Sequence, residues 1–206
     1  MAKLPLSRTQ VLKGTRWLMG NFGDDVARAV AGKPYGAEIL CAIACKETGF
    51  IWIARSDKMA ADALLPLLIG DASGDVPGHG RRAFPRNTAA FRAAYGDAFA
   101  DMLIAETNKA RALRGLSPAR IVYKGFGIFQ YDLQHVQTDR DFFERRMWHR
   151  MAPCLERATR ELDRTFRAAG GDPRDAVRRY NGAGTAAQIY ATHVMAFADI
   201  ARPVVV

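Results

Sequence analysis

The sequence predicts a mainly α-helical chain. Three observations carry that expectation. Apolar residues recur at helical spacing through most of the 206 positions, turn and cap residues punctuate them, and only residues 121–133 read as extended.

In order, Val11, Leu12, Trp17, Leu18, Val26 and Val30 predict two short helices over residues 8–31. The break falls at Asn21-Phe22-Gly23-Asp24, with Asp24 a cap for the second. Gly32-Lys33-Pro34 then turns into a helix over residues 35–48. That stretch, Ile39-Leu40-Cys41-Ala42-Ile43-Ala44-Cys45-Lys46-Glu47-Thr48-Gly49-Phe50, reads as an apolar helix ending in one carboxylate and stopped by glycine. Residues 59–69, rich in Ala and Leu, are expected to be helical. Residues 70–80 are turn chemistry, read as a surface loop rather than a lid, with His79 a solvated member. Asn87 or Thr88 caps a helix reaching about residue 114, its stripe of Phe91, Tyr95, Phe99, Met102 and Leu103 facing a core.

Residues 121–133 hold two glycines, several aromatics, Gln130 and Asp132; glycine in a strand-like run marks a close backbone approach, here by a ligand. Helix resumes at residue 139, kinked or divided at Pro153, and ends at Gly170-Gly171. Asp172-Pro173 launches the next helix, to Tyr180. Asn181-Gly182-Ala183-Gly184 interrupts it before a last helix over residues 185–201. Without an internal repeat or a long linker, residues 1–206 are expected to form one domain, with residues 1–34 an arm.

Composition narrows the partners. Apolar residues make up 49% and charged residues 25%, ordinary for a globular chain. No apolar window is long enough to span a membrane, and the first residues lack the apolar run of a signal peptide. The net charge of +9 favours anionic partners. The arginines are spread over amphipathic helices and no nucleic-acid module is recognisable, so a generic anionic polymer stands beside nucleic acid. Cys41 and Cys45, one turn apart, read as small buried hydrophobes rather than metal ligands, and Cys154 stands alone. No metal or cofactor is expected.

A carboxylate at a helix C-terminus meets the negative end of the macrodipole, and burial against Phe50, Ile51 and Trp52 acts in the same direction. Both favour the protonated form that a general acid needs, which makes Glu47 a candidate proton donor, although this stretch alone favours a solvent-facing Glu at a helix end.

Three stretches together resemble the goose-type lysozymes and bacterial lytic transglycosylases of the lysozyme-like superfamily. Glu47-Thr48-Gly49-Phe50 is similar to the family's Glu-Ser-Gly-Phe. Gly125-Phe126-Gly127-Ile128-Phe129-Gln130 is similar to Gly-x-Gly-Leu-Met-Gln, with Asp132 where goose-type members carry an aspartate. Arg179-Tyr180-Asn181-Gly182-Ala183-Gly184 with Tyr190 is similar to Ala-Tyr-Asn-Ala-Gly and its following tyrosine. The resemblance covers residues 35–55 and 121–200. Glu47 and Gln130 stand 83 positions apart, more than the family's usual spacing, so residues 52–120 contain an insertion.

The resemblance implies a lysozyme-like helical fold with a short hairpin beside the cleft, and cleavage of the bond between N-acetylmuramic acid and N-acetylglucosamine in peptidoglycan at the cell envelope. It implies Glu47 as the acid. Gly127, Phe129 and Gln130 would line the cleft floor, Tyr180 would hold Glu47 or the substrate, and Asn181 and Tyr190 would lie at the substrate. Asp132 is the candidate second carboxylate; as a base for water it would give hydrolysis, and without it the sugar's own 6-hydroxyl closes a 1,6-anhydro ring, towards which the reading leans. Asp57, Asp62, Asp71, Asp75 and Asp101, in or near the insertion, cannot be ranked. The rivals are an inactive wall- or chitin-binding module and a basic nucleic-acid-binding protein, the latter with a steep salt dependence.

Overall fold

The computed structural model describes residues 3–72, 74–76, 78 and 80–205, which leaves His79 outside the described residues. Helix accounts for 67% of the chain and strand for 4%, which makes the class mainly α. The chain divides into two compact units, residues 1–58 with 155–206, and residues 59–154.

The first unit begins with α1 (Arg8–Val30), where Ser7 and Gln10 form a reciprocal capping box. The predicted break is present as a kink: Phe22 leaves helical geometry at φ −139°, ψ 19°, and α1 continues past it. Next, α2 (Ala37–Trp52) is buried on every side through residues 39–45, which is why its sequence shows no polar face. It runs past the expected end. Gly49 lies inside the helix, because a Cβ there would stand 2.8 Å from Leu6 Cδ1 and 3.0 Å from Ile53 Cδ1. This glycine serves close packing and does not stop the helix.

In the second unit, α3 (Ala61–Leu64) gives way to a 3-10 turn at Leu65–Leu67 and then to β1 (Ile69–Ala72). The long helix expected over residues 59–69 is thus cut short where Pro66 enters. Asn87 caps α4 (Thr88–Tyr95) through Ala90 N at 2.8 Å. The single helix expected up to residue 114 is two: Gly96, at φ 83°, separates α4 from α5 (Asp97–Leu113). The extended segment forms β2 (Tyr123–Phe126) and β3 (Tyr131–Asp132), and β2 lies central and antiparallel to both β1 and β3. Then α6 (Arg140–Glu144) and a 3-10 turn at Met147–His149 lead to α7 (Met151–Ala168). Pro153 sits in the first turn of α7, where its missing N–H costs nothing, so it neither kinks nor divides the helix.

Phe91, Leu103, Phe126, Phe142, Phe143 and Trp148 form the second unit's core. At its edge, buried Glu106 accepts from Lys109 at 2.9 Å and from Arg146 at 3.1 Å, with His149 at 3.6 Å. Burial opposes ionisation of Glu106, but Lys109, His149 and Arg146 together hold its carboxyl below the usual range.

Most of α7 belongs to the first unit. It is tied to the segment before α2 by Tyr35, which donates to Asp163 at 2.8 Å, and by Lys33, which donates to the same carboxylate at 2.6 Å. As expected, Asp172 caps α8 (Pro173–Asn181), with proline in its first turn, and α9 (Gly184–Val205) closes the chain. The core of this unit is α2 packed against α1 and α9, with α8 on α9; Leu18, Ile43, Trp52, Val194 and Phe197 are at most 2% exposed. Among the described residues no helix is long and apolar enough to cross a membrane.

Candidate active site

Glu47 lies five residues before the end of α2, so the macrodipole argument loses force, the effect being confined to the last turn. Of the residues expected to cover it, Phe50 is itself 63% exposed, while Ile51 and Trp52 are buried. What faces Glu47 instead comes from α9. The Tyr190 hydroxyl donates to Glu47 Oε1 at 2.6 Å, across 143 positions of sequence.

Tyr190 is 4% exposed. Burial, the Glu47 and Tyr180 side chains and the hydrogen bond to Glu47 all push its hydroxyl well above the ordinary tyrosine range. It therefore stays a donor throughout the working pH range. Lys46 Nζ lies 5.3 Å from the centre of the Tyr190 ring, a cation–π contact that places a positive charge beside the pair. One turn along α9, His193 is buried, and burial together with Lys46 lowers its pKa. Its imidazole is thereby held neutral near pH 7.

Thr48 is committed locally: its hydroxyl reaches Ala44 O at 3.3 Å and accepts from Trp52 Nε1 at 3.1 Å, locking that indole in the core. Tyr180, in the last turn of α8, is half-buried and within electrostatic reach of Tyr190, and Asn181, the last residue of α8, is exposed. Cys41 and Cys45 are free and buried. Burial, with Glu38 beside it, pushes the Cys41 thiol up to about 12, and burial raises Cys45 as well, so both are protonated, buried packing residues in the free protein. Among the described residues no three His, Cys, Asp or Glu side chains gather as a metal site would need.

The remaining sequence candidates belong to the second unit. Gln130, in the left-handed region at φ 52°, turns its amide inward: Nε2 donates to Gly127 O at 2.8 Å and to Leu68 O at 3.1 Å. A Cβ added at Gly70 or Gly125 would collide with Gln130 Oε1. The glycines of β1 and β2 therefore make room for a side chain of this chain, not for a ligand. Gly127, at φ 77°, lies against Cys154 and Trp148, and Phe129 is 5% exposed, part of the core.

Asp132 accepts from both terminal nitrogens of Arg81, one at 2.9 Å, and caps the following turn through Gln134 N at 2.7 Å. The Arg81 side chain is only 10% exposed and also donates to Pro85 O and Phe84 O. Asp132 is thus a loop-fixing carboxylate with three donors already upon it. Sequence reasoning named neither Arg81 nor the flanking pair Lys46 and His193. The helical spacing of Tyr190 and His193 was a usable signal for the latter; Arg81, in a glycine-rich loop, gave none.

No protein-family model, curated protein or solved structure matches this chain.

Proposed function

We propose that the protein is a peptidoglycan-cleaving glycosidase of the lytic transglycosylase type, acting at the cell envelope with Glu47 as its one acid. The observation that carries the reading is the 2.6 Å hydrogen bond from Tyr190 to Glu47. It joins two of the three stretches on which the resemblance rests, and it gives the carboxyl a fixed rotamer and a permanent donor.

In the proposed reaction Glu47 gives its proton to the glycosidic oxygen as the C1–O bond breaks. The substrate's acetamido carbonyl stabilises the positive charge at C1. The Glu47 carboxylate then takes the proton of the sugar's 6-hydroxyl, whose oxygen bonds to C1 and closes the anhydro ring. Glu47 ends protonated, as it began, and no water is consumed. Asp132, committed to Arg81 and Gln134, favours this route over one in which a second carboxylate activates water. Tyr180 and Asn181 are the candidates for holding the N-acetyl group.

The test is the chemistry of the ends. Mass spectra of digested cell walls are expected to show 1,6-anhydro muropeptides; reducing ends alone would make the enzyme a hydrolase, and no soluble product would leave a binding module. Tyr190→Phe removes one charge-assisted hydrogen bond from the acid, so kcat should fall about tenfold to a hundredfold with KM little changed. Steady-state kinetics on solubilised glycan strands measure the split.

A further inference from the structure

From Ile39 to Trp52, α2 opens to solvent at only three residues, Lys46, Glu47 and Phe50. The first two are explained above by Tyr190. Phe50 is not. It lies three positions from Glu47, so the two side chains share one face of the helix. At 63% exposure it is the most exposed large apolar residue described, ahead of Leu116 at 44% and Ile189 at 43%. Trp17, Phe22 and Trp52 all pack on aromatic partners in the same unit, whereas Phe50 has no ring partner among the described residues. A single exposed apolar residue on a surface usually calls for no explanation. Here it occupies a third of the exposed strip of an otherwise buried helix, one turn from the candidate acid.

A phenyl face carries negative quadrupolar charge and attracts the slightly positive C–H groups on the flat face of a pyranose ring. We infer that Phe50 is the stacking platform for the sugar ring beside the bond that Glu47 cleaves. The inference rests on the glycosidase reading above. Stacking persists from bound substrate to transition state, so Phe50 contributes to binding more than to the chemical step.

The test uses the full chain carrying Phe50→Ala, Phe50→Leu or Phe50→Trp, with uncrosslinked glycan strands as substrate and urea midpoints as the stability control. Phe50→Ala is expected to raise KM about tenfold with kcat nearly unchanged. Phe50→Trp should keep KM near wild type, Phe50→Leu should not, and the urea midpoints should all agree. An active wild type with Phe50→Ala at the same KM overturns this inference alone. So does Leu serving as well as Trp, which reduces the ring to apolar bulk, or a lowered midpoint in Phe50→Ala, which assigns the ring to packing. A wild type that leaves the strands intact overturns the glycosidase reading and this inference together.

Discussion

Glu47→Gln is expected to abolish the clearing of purified cell walls while leaving the fold intact. The substitution conserves shape, and the Tyr190 hydroxyl can still donate to the amide oxygen in place of Oε1. What is lost is the transferable proton. Positioned acid–base groups contribute about 10²–10⁴-fold, and in the proposed reaction one group performs both the protonation and the later deprotonation, so the upper end is expected. The half-buried position of residue 47 predicts a urea midpoint close to wild type. Turbidity loss of a wall suspension measures activity, and circular dichroism in urea measures the fold. A variant that clears walls at the wild-type rate ends the proposal, whatever the other residues do.

Local chemistry was the legible part of this chain. Asn87, Asp172-Pro173 and Gly170-Gly171 are caps and breaks whose physics is complete within four residues, and each stands where the sequence puts it. Glycine was a repeated source of misreadings, because its uses differ and sequence does not separate them. Gly49 looked like a helix stop but permits the approach of Leu6 and Ile53, contacts that only the folded packing supplies. Gly96 lay unremarked within an apolar stripe that continues on both sides of it, and its positive φ ends one helix and starts another.

Long-range pairing was the illegible part. β1 straddles the end of the Ala- and Leu-rich stretch and the first residues of the expected loop, because its strand character comes from pairing Ile69 with Phe126 and Gly70 with Gly125. Arg81 meets Asp132 across 51 positions and Tyr190 meets Glu47 across 143. The tyrosine was a candidate only through motif spacing. The helix-end premise for Glu47 does not hold, because α2 runs on to Trp52, and of the three residues expected to cover it Phe50 is itself exposed. The partner that the fold supplies to Glu47 is Tyr190, with Lys46 on the face of its ring.

Gln130→Glu separates a structural role from a substrate-binding one. In the wild type, Nε2 serves two backbone carbonyls, Gly127 O and Leu68 O, which bind the β2–β3 turn to the approach of β1. The substitution keeps the volume and turns that donor into a second acceptor, so a carboxylate oxygen faces two carbonyl oxygens in a half-buried site. Two hydrogen bonds are lost and a charge is placed against like partial charges, at a cost of about 3–5 kcal/mol at pH 7. The sign of the pH dependence follows. The folded state disfavours the ionised carboxylate, so its folded pKa is raised above the unfolded value of about 4.3. The unfolded chain then releases its proton first, and the variant loses stability relative to wild type as pH rises through about 4 until the folded-state group also ionises. Below that window the protonated acid can donate once, and part of the deficit returns. Urea midpoints at pH 7 and pH 4 measure both. A substrate contact predicts a different pattern: stability equal to wild type at either pH, with activity alone impaired.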